Sequence, residues 1–257
     1  MNSTCSKRQP KSVKKLTLIV PTLNEVDNIL PLIGRLEAAL GRTSWAAIII
    51  DDDSEDGTYD VVQTIAAEKS HIKVVRRIGR RGLSSACIEA MTMATSPYVA
   101  VLDADLQHDE HLLRPMLEMI EGNQFDLVAA SRFLPGGSIG PLSWQRALMS
   151  RTANLLCAKL CRVRLSDPMS GFFMMRRTLF HEVYSRLSGH GSKILLDIVT
   201  AARRPLNCAE LPLRFRQRLS GESKLDAQVM WDFLYLLGQK TLARTMPAER
   251  DRPVARF

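Results

Sequence analysis

Long apolar runs are missing from these 257 residues. Stretches such as residues 46–50 (AAIII) are strand-length, far short of the roughly 20 residues that cross a bilayer as a helix. No apolar signal-peptide core follows the start, so the expectation is a chain that does not span a membrane by itself. Cysteine is scarce: Cys5, Cys87, Cys157, Cys161 and Cys208 make an odd five without close paired spacing. That argues against a disulfide framework. Cys157 and Cys161 could share a helical face, but no nearby His or second Cys pair completes a zinc site. Buried free thiols in a reducing cytosol are expected instead. There is no P-loop, no GxGxxG and no solenoid-type repeat. Acid is absent from residues 1–15, which hold Lys7, Arg8, Lys11, Lys14 and Lys15. The chain carries +8 in all, from 35 basic and 27 acidic residues, so only +3 remains for the rest. A basic tail on a near-neutral body suits nucleic acid, an anionic membrane surface, or plain solvation. Nucleic-acid binding would rest on that charge alone, without a recognised motif, and is not expected.

What is present looks globular. Hydrophobic residues make up 46% and charged residues 24%, which excludes a disordered or collagen-like chain and allows a large core. The length fits one large domain or two small ones. Residues 16–20 (LTLIV) read as a strand ended by Pro21. A helix follows, with Val26, Ile29, Ile33, Leu36 and Leu40 on one stripe and Gly41 closing it. Further strands are expected at residues 46–50, 73–75, 98–102 and 127–130. Helices are expected between them, one carrying Val61, Val62 and Ile65, one over residues 84–94, and one using Leu112, Leu113, Met116, Leu117 and Ile120. Such alternation implies an α/β fold with a mostly parallel, doubly wound sheet, and runs without alternation suit strands covered on both faces. The pattern then loosens. A Gly/Pro loop (133–143), an amphipathic helix (142–162), strands at 172–175 and 208–213, and a final helix (225–242) complete the expectation.

In an open α/β sheet, ligands bind outside the carboxyl ends of the strands. Three such ends are acidic here: Pro21-Thr22-Leu23-Asn24-Glu25, Asp51-Asp52-Asp53, and Asp103-Ala104-Asp105 followed by Leu106-Gln107. Converging carboxylates repel unless a cation or donor lies between them. A divalent metal is the simplest neutraliser, and hard oxygen ligands suit Mg²⁺ or Mn²⁺ holding a substrate diphosphate. If the chain turns at Asp103-Ala104-Asp105, both carboxylates can reach one ion. Asp53, Asp56 and Asp109 are expected only to cap the helices that follow. Basic residues gather later: Arg132 after the fifth strand, Arg146 on the next helix, and Arg214, Arg216, Arg218 and Lys224 around Ser220-Gly221-Glu222-Ser223. A basic loop opposite a metal site can close over phosphates. Arg203, Arg204 and Arg214 are expected to be merely solvated.

At this point the residues resemble a family. The segments LIVPTLNE (18–25), IDDDSEDGT (50–58), RGLSSA (81–86), DADLQH (103–108), SRF (131–133), DPMSGF (167–172) and GESKL (221–225) occur in that order. The set resembles glycosyltransferase family 2, and within it the dolichol- or polyprenol-phosphate mannosyltransferase (or glucosyltransferase) branch. The resemblance implies a GT-A fold, a Rossmann-like sheet, over residues 16–225. A basic flexible tail (1–15) would precede it, and C-terminal amphipathic helices with a tail (226–257) would follow. It also implies site residues. Pro21, Leu23, Glu25 and Asp52 would cradle the base and ribose, with Arg81 near the nucleotide. Asp103, Ala104 and Asp105 would line the donor site, and Asp103, Asp105 and Gln107 would hold Mg²⁺ or Mn²⁺. Arg132 and Arg146 would hold the acceptor phosphate, with Arg218 and Lys224 on the closing loop. Leu23 stands where family members often have Tyr, and Asp53 where Asn or Gly is more usual.

The implied reaction is inverting transfer of a hexose from a nucleotide sugar, GDP-mannose above all, to a polyprenyl or dolichyl phosphate. A phosphate acceptor is already ionised near neutral pH. It needs cationic positioning rather than a strong base, and the leaving diphosphate needs a metal and cations to take up its charge. A lipid acceptor implies peripheral association with the cytoplasmic face of a membrane, through the helix at 142–162, the last helix, a membrane-anchoring partner, or a membrane domain. The alternatives are a family 2 enzyme using UDP-glucose or UDP-GlcNAc, and one acting on a sugar hydroxyl with Asp167 as base. A phosphatase reading of residues 98–105 fails because that strand comes late and no Gly-Asp acidic motif follows. A receiver-domain reading of Asp51-Asp52 fails because the chain is too long and a strand precedes it.

Overall fold

The computed structural model describes residues 14–122, 124–138 and 165–216. The helices expected at 142–162 and 225–242, nearly all of the basic tail, and Arg146, Arg218 and Lys224 lie outside the described residues. The strands are β1 (Leu16–Thr22), β2 (Trp45–Asp51), β3 (Ile72–Arg76), β4 (Tyr98–Val101), β5 (Leu127–Ser131), β6 (Phe173–Arg176) and β7 (Cys208–Pro212). The helices are α1 (Val26–Leu40), α2 (Thr58–Glu68), α3 (Leu83–Met93), α4 (Leu113–Gly122), α5 (Arg177–Val183) and α6 (Ile194–Ala201). Glu110–Leu112 and Tyr184–Arg186 form short 3₁₀ turns beside α4 and α5.

The seven strands lie in the order β3-β2-β1-β4-β6-β5-β7. Only β6 runs antiparallel to its neighbours; the other pairings are parallel. From β1 the chain winds outward through β2 and β3, then returns to place β4 on the other side of β1. The direction of winding therefore reverses between β1 and β4, which opens a ligand crevice at their carboxyl ends. Pro21 does not end β1, as the sequence suggested. It pairs in register with Ile50 of β2. The Ile19 carbonyl accepts from Leu102 N on the β4 side. Two residues later Pro21 faces that same side, where β4 has stopped, so its missing N–H interrupts no ladder.

Alternate strand residues enter two cores. Ile19, Ile48, Ile50, Val99, Val101, Phe173 and Met175 pack under α3, α5 and α6. Leu18, Val20, Ile49, Ala100, Phe172 and Met174 pack under α1, α2 and α4. This double coverage explains strands that read as continuous apolar runs. α1 buries Ile29, Leu32, Ile33, Leu36 and Leu40, and Gly41 N–H caps it on the Glu37 carbonyl at 2.9 Å. Cys87 is a buried free thiol and Cys208 a half-buried one, each pushed up in pKa by burial, Cys208 to about 12. Among the described residues no helix is long and apolar enough to cross a membrane.

Candidate active site

The first two acidic strand ends are laced together. Thr22 Oγ1 donates to the buried Asp51 at 3.1 Å, and Asp51 also accepts from Ser54 N at 3.0 Å. Asn24 N donates to Ser54 Oγ at 2.9 Å, while Asn24 Oδ1 accepts from Glu55 N at 3.0 Å. Glu25 N donates to Thr58 Oγ1 at 2.9 Å, and Asp56 accepts from Val26 N and Thr58 N at 3.0 Å each. Asp56 thereby serves the starts of both α1 and α2. Pro21, Leu23 and Glu25 line this laced rim half-exposed.

Asp52 is largely buried and accepts from Arg77 Nη1 at 2.5 Å and Gly82 N at 2.6 Å. Burial raises its pKa against the lowering pull of Gly82 and Arg77. Its carboxylate thus fixes the loop between β3 and α3. Asp53 does not cap a helix, contrary to expectation. Its φ of +60° turns its side chain toward the same loop, where it accepts from Arg76 Nε at 3.0 Å and Gly79 N at 3.2 Å. That left-handed backbone is the physical reason Asn or Gly suits this position, and Asp tolerates it better than most residues. The Gly79 and Arg76 bonds hold the Asp53 carboxyl below its ordinary range. Arg81 sits exposed on this loop, 3.0 Å from Glu55.

β4 ends at Val101, so Asp103-Ala104-Asp105 is a turn and not a strand. Leu106 has φ +62°, a strain of about 1–2 kcal/mol for a non-glycine residue. Its side chain is buried in the core under α1 and α4, which holds the turn in place. Gln107 N donates to Asp105 Oδ1 at 3.2 Å. Asp103 N donates to Nδ1 of the buried His108 at 3.1 Å, so the proton of neutral His108 is on Nε2, 3.7 Å from Asp103 Oδ2. His108 stacks on Phe172 with ring centroids 5.2 Å apart. Gly171 lies against Asp103: a Cβ there would be 3.0 Å from Oδ2. The donor set of two carboxylates and an amide oxygen fits Mg²⁺ or Mn²⁺, and the space a Gly171 side chain would fill is left to the Asp103 carboxylate. The Gln107 amide nitrogen donates to Arg216 O at 3.1 Å; its oxygen accepts nothing among the described residues. A tighter acidic group, Asp109, Glu110 and His111, stands on the next turn. Arg216 already bridges both acids, donating to Glu110 at 2.6 Å and Asp109 at 2.7 Å. Asp109 also accepts from His111 N at 3.3 Å, the capping role expected of it.

Arg132 follows β5 and is gripped by Asp167. Nε donates to Oδ2 at 2.7 Å and Nη2 to Oδ1 at 3.0 Å, while Asp167 is wholly buried. Glu210 on β7 holds the preceding residue, accepting from Ser166 N at 2.9 Å and Ser166 Oγ at 2.9 Å. The Phe215 ring lies 5.8 Å from the guanidinium on one side and 5.7 Å from His108 on another, joining the acidic turn to the arginine. Nη1 of Arg132 makes no hydrogen bond among the described residues. Arg204 is not merely solvated as expected; it forms a bidentate pair with Asp126 at 2.6 and 2.8 Å. Arg77, His108, Gly171, Lys193 and Glu210 escaped the sequence reading. Gly171 lay within the DPMSGF segment, and His108 closed DADLQH; the other three carry no spacing signal.

A family model described as "Glycosyl transferase family 2" matches residues 17–184. A dolichol-phosphate mannosyltransferase from Pyrococcus furiosus is 34% identical over 86% of this chain, and the chain spans 62% of that relative. Enzymes of the same name from Mycosarcoma maydis and Saccharomyces cerevisiae are 34% and 32% identical, with 79% and 85% of their lengths covered. Glucosyl-3-phosphoglycerate synthase from Mycobacterium tuberculosis, solved with UDP, superposes with a TM-score of 0.62 at 22% identity, over 88% of this chain and 80% of that one. That likeness concerns the fold, a GT-A-type α/β sheet. Family match, relatives and strand-end acids agree: the chain belongs to glycosyl transferase family 2.

Proposed function

We propose that this chain transfers mannose from GDP-mannose to the phosphate of a polyprenyl or dolichyl phosphate, inverting the anomeric centre. The names of the three relatives support the reading. The observation that carries it is the Arg132–Asp167 pair at the edge of the acidic crevice. A guanidinium held along one edge by a buried carboxylate is set to receive an anion on its remaining donors. The same pair weighs against a hydroxyl acceptor. A general base must reach the proton it removes, and both oxygens of the buried Asp167 accept from Arg132.

Asp103, Asp105 and Gln107 would hold Mg²⁺ or Mn²⁺, which supplies charge neutralisation to the leaving diphosphate. The laced rim of residues 21–25 and 51–58, with Arg81 beside it, would hold the nucleoside. Arg132 and Arg146 would hold the acceptor phosphate, and Arg218 and Lys224 would add positive charge near the phosphates. Ionised acceptor oxygen needs no base, so these residues bind and orient two anions that otherwise repel. The chain would work at the cytoplasmic face of a membrane, held peripherally by its own segments or by a partner. Radiolabel transfer from a panel of GDP- and UDP-sugars to polyprenyl phosphate tests the reading. Label from GDP-mannose in a lipid-phosphate product is expected; label from a UDP-sugar alone, or only onto a sugar hydroxyl, would replace it.

A further inference from the structure

Lys193 immediately precedes α6, and its carbonyl accepts from Asp197 N at 3.1 Å. The loop leading to it is fastened on two sides. The buried Asp197 carboxylate accepts from Ser188 N at 2.7 Å, Ser188 Oγ at 2.8 Å and Gly189 N at 3.3 Å. The Gly191 carbonyl accepts from Ser84 N at 3.1 Å, at the start of α3. Gly189 and Gly191 have φ of +67° and +68°, a conformation that glycine adopts without a Cβ penalty. Lys193 is therefore carried on a fixed turn beside the crevice.

Its side chain is half-buried, and the charged groups in its field are Arg132, Asp103 and Asp167. Burial and Arg132 push its ammonium below the ordinary lysine range, while the two acids pull the other way. Among the described residues that ammonium makes no hydrogen bond or ion pair. Among the described residues the arginines around the crevice are engaged: Arg132 by Asp167, Arg77 by Asp52, Arg216 by Asp109 and Glu110. Neither nearby acid is available to Lys193. Asp167 has both oxygens on Arg132, and Asp103 belongs to the set that suits a divalent cation. A half-buried ammonium with no partner among the described residues, beside a guanidinium already locked by its carboxylate, suits an incoming anion.

We propose that Lys193 binds the acceptor phosphate together with Arg132. This rests on the reading of Arg132 above and adds a ligand to the same subsite. A phosphomonoester carries about −1.5 to −2 charge and three acceptor oxygens at pH 7. Asp167 offsets the charge of Arg132, so Arg132 and Arg146 together still leave part of the phosphate charge unbalanced. A compact ammonium supplies the remainder as a point charge, with no planar geometry to satisfy.

Binding of farnesyl monophosphate to the full chain, with Mn²⁺ present and no donor, tests the assignment without any transfer step. Lys193→Met is expected to weaken that binding by about tenfold, or about 1.4 kcal/mol, and Lys193→Arg by about threefold or less. GDP affinity should be unchanged in both variants, and the melting temperature should not fall. A purely structural lysine would lower the melting temperature and leave the phosphate affinity of the folded fraction alone. The assignment is overturned if Lys193→Met binds farnesyl phosphate like wild type, if it loses GDP equally, or if wild type binds no phosphomonoester. The mannosyl reading is judged separately, by transfer with wild type. Phosphate binding through Lys193 without mannose transfer would remove that reading and leave this site standing.

Discussion

The guanidinium of Arg132 is aimed by a carboxylate that water does not reach, and that carboxylate sits on a turn held in turn by Glu210. Removing one partner of a buried pair leaves the other uncompensated, typically at 3–5 kcal/mol. Asp167→Asn is therefore expected to lower stability by about 3 kcal/mol in urea melts. In the folded enzyme it should raise KM for the lipid phosphate more than KM for the nucleotide sugar. A variant of unchanged stability whose kcat alone collapsed would instead mark Asp167 as a base. Gly171 works at the same scale through close approach. A Cβ there would stand 3.0 Å from Asp103 Oδ2 and 3.4 Å from His108 Cε1, and the carboxylate is the group that can shift. Gly171→Ala should reduce transfer by about 10–100-fold, the range for disturbed supports of metal ligands, with the melting temperature nearly unchanged. Full activity would show that Asp103 tolerates displacement.

Between elements, Asp126 ties the starts of β5 and β7 to the end of the antiparallel β6. Its carbonyl accepts from Arg176 N at 3.0 Å, its N–H donates to Asn207 O at 2.8 Å, and its carboxylate takes Arg204 and Asn207 N. Arg204 holds the Asp126 carboxyl below its ordinary value. A depressed pKa gives stability that is complete above the ordinary carboxylate value and is lost as pH falls through the lowered one. Arg204 is partly exposed, so solvent screening discounts the pair. Asp126→Asn should cost about 1 kcal/mol at neutral pH, and its penalty should shrink as melts are run toward pH 2–3. A penalty constant with pH would mean that shape, not charge, matters there. The elements differed in how far they could be read. α1 announced itself by an apolar stripe and a closing Gly, and the parallel strands by apolar runs. α6 did not, because seven of its eight residues, Asp197 among them, are buried and leave no periodic face. α5 is short, and the antiparallel run of β6 depends on pairing that no local pattern encodes. The strand-end acids were legible because the topology rule says where to look. Arg77, Glu210 and Lys193 were not, since their roles come from residues 25 to 90 positions away that only the fold brings near.

Across the whole molecule, stability and chemistry are housed apart. The two apolar layers on either side of the sheet account for the buried mass, and the acidic crevice at the strand ends is anchored to only one of them, through Ala104 and Leu106. A divalent cation at Asp103 and Asp105 would join donor to protein without joining one core layer to the other. Chelation with excess EDTA should therefore abolish transfer while moving the melting temperature of the ligand-free protein hardly at all. Ligand stabilisation gives the sharper reading. A ligand at about 100 times its Kd adds about 2.7 kcal/mol, and each kcal/mol raises the melting temperature by about 2–4 °C in a chain of this size. GDP with Mn²⁺ or Mg²⁺ should then raise it by about 5–10 °C, and GDP with EDTA by much less, because the diphosphate would face unneutralised carboxylates. Equal stabilisation by GDP in EDTA, or undiminished transfer there, would separate the acidic turn from the diphosphate and leave the nucleoside rim as the donor's main hold.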